Sequence, residues 1–195
     1  MKAPIEIWFD FASNYSYLSV MRIEDAARQA GRDVHWRPFL LGPIFQAQGW
    51  NNSPFVLQKA KGTYVWQDMP RQCRKHDLPW QKPSVFPRLS LLAARVALYG
   101  AGQAWIGAFC RQVMTLNFAE DRDITDPQLI NEVLSGLGLD APAIIAAALS
   151  EQNKQALRAQ TEQAMARGIF GAPIFFVGDA MFWGDDRLVD ALADG

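Results

Sequence analysis

Apolar and polar positions alternate at the start of the chain. Ile5, Ile7 and Phe9 fall on one side, with Glu6, Trp8 and Asp10 on the other, which is the period of two expected of a strand apolar enough to be partly buried on both faces. The pattern then changes. After the polar turn Phe11-Ala12-Ser13-Asn14, apolar residues recur at Leu18, Met21, Ala26, Ala27 and Ala30. That helical spacing predicts one helix closed by Gly31. Val34 to Arg37 reads as a second strand, stopped by Pro38. From about Leu40 to Arg167 the strand signal disappears. A helix is predicted from Leu89 to Leu98, two more begin at Thr125-Asp126-Pro127 and Asp140-Ala141-Pro142, and another runs from Ser150 to Arg167. In the middle pair, a capping carboxylate precedes a proline in the first turn. Strands return as Ile174–Val177 and Met181–Trp183, around a Gly178-Asp179 loop that signals a type II′ hairpin. Asp185, Asp186 and Arg187 then open a last helix with Leu188, Val189 and Leu192 on its apolar face.

The order is βαβ, a long helical stretch, then ββα. This predicts an α/β thioredoxin-like domain with a large all-helical insertion: residues 1–39 and 168–195 form the discontinuous thioredoxin-like part and 40–167 the insertion. The right-handed βαβ crossover puts the loop after the first strand, with Ser13, at the carboxyl edge of the sheet.

Composition narrows the chemistry. The 195 residues are 50% hydrophobic and 20% charged, and 19 basic side chains nearly balance 20 acidic ones. A nucleic-acid or anionic-membrane partner loses its usual electrostatic footprint, and no apolar run is long enough for a transmembrane helix. The N-terminal residues do not read as a secretory signal, so a cytoplasmic protein is expected. The two cysteines, Cys73 and Cys110, form no Cys-x-x-Cys pair, and neither His35 nor His76 has a second histidine at ligand spacing. No metal is expected.

Two local features carry candidate chemistry. Ser13 stands at a helix start, where free backbone N–H groups and the helix dipole favour an anion such as a thiolate, although serine is also an ordinary N-cap. Gly171-Ala172-Pro173 precedes the third strand. In a thioredoxin-like sheet this proline lies beside Ser13, and a cis bond there would free the Ala172 main chain to pair with an extended peptide.

Phe9-Asp10-Phe11-Ala12-Ser13-Asn14-Tyr15-Ser16-Tyr17 resembles the Asp-Phe-x-Ser-Pro-x-Ser-Tyr segment of the 2-hydroxychromene-2-carboxylate isomerases and the related kappa-class glutathione transferases. Asn14 stands where the motif has proline. Phe170-Gly171-Ala172-Pro173 and Trp183-Gly184-Asp185-Asp186-Arg187-Leu188 resemble the family's second signature. The resemblance implies a DsbA-like fold, glutathione as cofactor, a small aromatic substrate and a homodimer. It also implies that Ser13 contacts the glutathione sulfur, that Ala172 and Pro173 present the main chain to its cysteinyl part, and that Asp185 and Asp186 hold its γ-glutamyl end. Asn52, or Asn51 one position away, matches a glutathione-contacting asparagine. Lys61 is expected near a carboxylate, and Trp50 and Trp66 are expected to line an apolar substrate pocket. The implied activity is glutathione-dependent isomerisation. A kappa-like transferase or peroxidase and a non-catalytic glutathione-binding module are the alternatives.

Overall fold

The computed structural model describes residues 2–194. Four strands, β1 (Ile5–Phe9), β2 (Val34–Pro38), β3 (Ile174–Val177) and β4 (Ala180–Trp183), form one sheet in the order β2-β1-β3-β4. β1 runs parallel to β2, with Ile5 opposite Val34, and antiparallel to β3, with Ile7 opposite Phe175. β3 and β4 form the predicted hairpin. At its turn Gly178 has φ +58° while Asp179 stays at negative φ, the combination a type II′ turn requires.

The period of two along β1 sorts its side chains onto two separate apolar layers. Ile5, Ile7, Phe9, Trp36, Phe175 and Val177 share the larger cluster with Val65, Ala93, Phe109 and Leu129 from the helical stretch. Trp8, Ile174 and Phe176 turn to the other face and pack with Phe39, Ile44, Ala164 and Ile169. Both faces of the sheet are therefore covered, which is why β1 and β3 are almost uniformly apolar.

The helix expected before Gly31 is two helices. α1 (Asn14–Val20) and α2 (Ile23–Ala30) are separated at Met21-Arg22. No glycine or proline stands at the break to signal it in the sequence. Gly31 closes α2 in the left-handed conformation, as expected.

Between β2 and β3 the chain is helical: α3 (Leu41–Ala47), α4 (Pro54–Leu57), α5 (Lys59–Lys75), α6 (Leu91–Tyr99), α7 (Ile106–Phe118), α8 (Pro127–Gly136), α9 (Ala141–Ala148) and α10 (Glu151–Ala166). The two expected capping carboxylates sit where the sequence puts them, and a serine cap at the start of α10 joins them. Asp126 accepts from the Gln128 amide, Asp140 from that of Ala143 and Ser150 from that of Asn153. α4 and α5 approach so closely that a Cβ on Gly62 would lie 2.2 Å from the Phe55 carbonyl oxygen. A short 3₁₀ turn at Asp185–Arg187 leads into α11 (Leu188–Ala193). Among the described residues no helix is long and apolar enough to cross a membrane.

Candidate functional site

The ends of β1 and β2, the start of α1 and the turn before β3 converge on the edge of a cleft of about 1270 Å³. Its far side is built from α3, the loop through Trp50 to Pro54, and α5.

Ser13 caps α1. Its hydroxyl oxygen accepts from the Ser16 amide at 3.2 Å and its O–H donates to the Ala172 carbonyl, also at 3.2 Å. The capping and functional readings of this serine thus coexist in one side chain. The bond to Ala172 is long for an O–H donor, so the proton is loosely held and can be redirected to another acceptor at small cost. The Ala172–Pro173 bond is cis, and the Pro173 carbonyl accepts from the Gly184 amide, which joins the two halves of the second signature. Ser13 and Ala172, 159 positions apart in the chain, therefore meet.

Asp10, at the end of β1, organises this edge. Its carboxylate accepts from the Ala12 amide (2.9 Å), the Leu41 amide (2.8 Å) and the Ser90 hydroxyl (2.8 Å). One buried group thereby ties the loop before α1, the start of α3 and the start of α6 together. Burial pushes its pKa up and the three donors pull against that shift. Ser90, at the N-cap position of α6, makes no cap bond and gives its hydroxyl to Asp10 instead.

The two aspartates of the second signature part company. Asp185 is buried, accepts from the Ser19 hydroxyl at 2.7 Å and from Arg22 at 2.5 Å, and lies 3.9 Å from His76 Nε2. Asp186 is mostly exposed and pairs with Arg187 at 3.3 Å. Gly184, just before them, has φ +105°, and a Cβ there would lie 2.6 Å from an Asp186 carboxylate oxygen. The turn that presents Asp186 at the cleft edge therefore needs glycine.

Trp50, Asn51, Asn52 and Lys61 all border the cleft. Asn52 turns its side-chain oxygen back to the Ser53 amide at 2.7 Å. Trp66 is elsewhere. It stacks on Trp80, meets Phe86 edge-on and carries Lys82 over its ring, outside the cleft lining. Beside Ala60 in its first turn, α5 faces the cleft with Lys61, Tyr64, Val65, Asp68 and Gln72, one helical stripe from which Trp66 is rotated away. Tyr64, Asp68 and Gln72 escaped the sequence reading, although their three- and four-residue spacing from Lys61 could have found them. Asp68 accepts from the Tyr15 hydroxyl at 2.8 Å and from Gln72 at 3.1 Å. Burial, then Asp68, raises the Tyr15 pKa well above the usual phenol range.

Neither cysteine borders the cleft. Cys73 and Cys110 are free and buried, burial pushing the Cys73 thiol to about 11 and the Cys110 thiol well above its ordinary value. His76 is largely covered, and its pKa is lowered by burial and then by Arg22. Among the described residues no three His, Cys, Asp or Glu side chains gather into a metal-sized cluster.

The DsbA-like thioredoxin domain model matches residues 4–194. A 2-hydroxychromene-2-carboxylate isomerase of Sphingobium xenophagum is 32% identical over 191 residues, covering 96% of this chain and 95% of that protein. The counterpart in Pseudomonas putida is 27% identical, with 94% and 90% covered. A solved 2-hydroxychromene-2-carboxylate isomerase superposes with a TM-score of 0.82 at 27% identity, again over 94% of this chain and 90% of that one. A probable DsbA oxidoreductase from Streptomyces coelicolor shares the fold, with a TM-score of 0.77 at 20% identity over 98% and 88%. With both signatures meeting at one cleft and the match running from end to end, the chain belongs to the DsbA-like thioredoxin family and, within it, with the 2-hydroxychromene-2-carboxylate isomerases.

Proposed function

We propose that this protein is a glutathione-dependent isomerase of 2-hydroxychromene-2-carboxylate or a closely similar aryl α-keto acid precursor. The observation that carries the reading is the meeting of the Ser13 hydroxyl with the Ala172 carbonyl, across a cis-proline turn, at a cleft with no cysteine in its lining. A thioredoxin-like site that works on a thiol without owning one needs a thiol from outside. The residues fit glutathione: the Ala172 main chain suits its cysteinyl part, Asp186 its ammonium group, and Lys61 and Asn52 its far end or a substrate carboxylate.

The cleft volume exceeds the roughly 300–1,000 Å³ of a single-ligand pocket, which suits a tripeptide beside a bicyclic substrate. When bound, glutathione supplies a thiolate that adds reversibly to the conjugated double bond and so permits rotation about it. Ser13 redirects its loosely held proton from Ala172 toward the sulfur and favours the ionised thiol over the neutral one. Asp10 keeps the loop bearing Ser13 in place during that exchange. The apolar wall, including Trp50, Phe45 and Phe55, packs on the aromatic ring and keeps water from the reacting carbon.

The test is turnover of the chromene with and without glutathione, repeated with Ser13→Ala. Activity should require the thiol, return it unconsumed, and fall about 100-fold in the variant, the scale of losing one hydrogen-bond donor to a developing anion. Equal rates without glutathione would overturn the reading, and stoichiometric consumption would turn it into a transferase.

A further inference from the structure

Asn14 is the first residue of α1 and borders the cleft directly beside Ser13. It is only 1% exposed, and neither its side-chain oxygen nor its side-chain nitrogen has a hydrogen-bond partner. Buried amides almost always find partners, because an unmet donor and acceptor withdrawn from water are costly. The fold itself does not call for this group. The first helical position has no intrahelical partner for its own amide and favours proline, the residue the family motif places there. A destabilising polar side chain next to the reaction centre is the signature of a site whose local optimum has been traded for function. Because the carboxamide makes no hydrogen bond at rest, turning it about the Cα–Cβ bond toward the cleft breaks none.

We propose that the Asn14 side chain is a substrate-binding residue, its amide N–H donating to the keto oxygen of an aryl α-keto acid bound in the cleft. This inference rests on the isomerase reading and goes one step past it. The keto oxygen sits a short conjugated path from the carbon that meets the thiol, and Asn14 sits one residue from Ser13, so the two side chains address the two ends of the reacting system. The donor is unsatisfied before binding and satisfied afterwards, so the cost carried by the free protein is recovered in the complex. Discrimination built this way is steep: a ligand lacking the oxygen leaves the amide unpaired.

Benzylidenepyruvate, which carries the keto oxygen, and trans-4-phenylbut-3-enoate, in which a methylene replaces the keto group, are titrated without glutathione into the wild type, Asn14→Leu and Asn14→Pro, and each protein is melted without ligand. The variants should melt at or above the wild-type temperature, bind benzylidenepyruvate at least 10-fold more weakly and leave phenylbutenoate and glutathione affinities within about twofold. A lower melting temperature with unchanged benzylidenepyruvate affinity would overturn the inference, since Asn14 would then be an ordinary structural residue bonded to water. Equal losses for both acids would overturn it too, because the keto oxygen would not be what Asn14 reads. A wild type that binds neither the keto acid nor glutathione removes the isomerase reading, and the inference with it. A wild type that turns over the chromene while both variants match it removes the inference alone.

Discussion

The two sides of the cleft are built differently. On the sheet side, polar groups are buried and interlocked: Asp10 holds three donors, Ser13 bonds forward to Ser16 and across to Ala172, and Asp185 sits between Ser19 and Arg22. On the helical side, Trp50, Asn51, Asn52, Lys61 and Tyr64 are half-exposed or exposed, with few side-chain bonds among them. Tight networks hold a geometry that a reaction needs, whereas loose, solvent-facing side chains can be changed at little cost to the fold. The sheet side is thus set for the shared chemistry, and the helical side for which molecule receives it.

The strongest challenge to this contrast is Asp10→Ala, which strips one acceptor from three buried donors. It should cost roughly 3 kcal/mol and lower the melting temperature by about 10 °C. A shift within 2 °C would show that Asp10 is no keystone. The next test uses neighbours from one signature. Asp185→Asn should destabilise by roughly 2 kcal/mol, because it leaves Arg22 half-buried without its counter-charge. Asp186→Asn should leave the melting temperature nearly unchanged and weaken glutathione binding by about tenfold, measured by calorimetry. If the two variants behaved alike, the division between buried network and open wall would fail within adjacent residues. The smallest effect belongs to Lys61→Met, which should raise KM for glutathione or for the acid substrate only a few-fold and shift stability by less than about 0.5 kcal/mol.

How far the sequence could be read follows the same division. The four strands, the capped starts of α8 and α9, and the nearness of Pro173 to Ser13 were all legible. Each rests on a local rule: alternation, an acid before proline, or a crossover of fixed hand. The break between α1 and α2 was not, because no glycine or proline lies between Asn14 and Ala30 to mark it. Trp66 was misread because its composition suits a pocket and only its angular position on α5 excludes it. Asp10 looked like the polar end of a strand, and its role depends on Leu41 and Ser90, which only the folded chain brings near. Asn14 was noticed as a departure from the motif, but its unmet hydrogen bonds are a property of packing and have no trace in the sequence.

The larger apolar cluster has an evolutionary consequence. Val65, Ala93, Phe109 and Leu129 from the helical stretch interdigitate with Ile5, Ile7 and Phe175 from the sheet. A segment whose core is shared in this way is not a cassette. Recombination that exchanged it for a relative's helices would mismatch many packed side chains at once, whereas single replacements at the exposed cleft mouth, at Leu89 or Leu91, disturb far less. New substrate ranges in this lineage should therefore arise by point changes around the opening, with the helical stretch inherited whole.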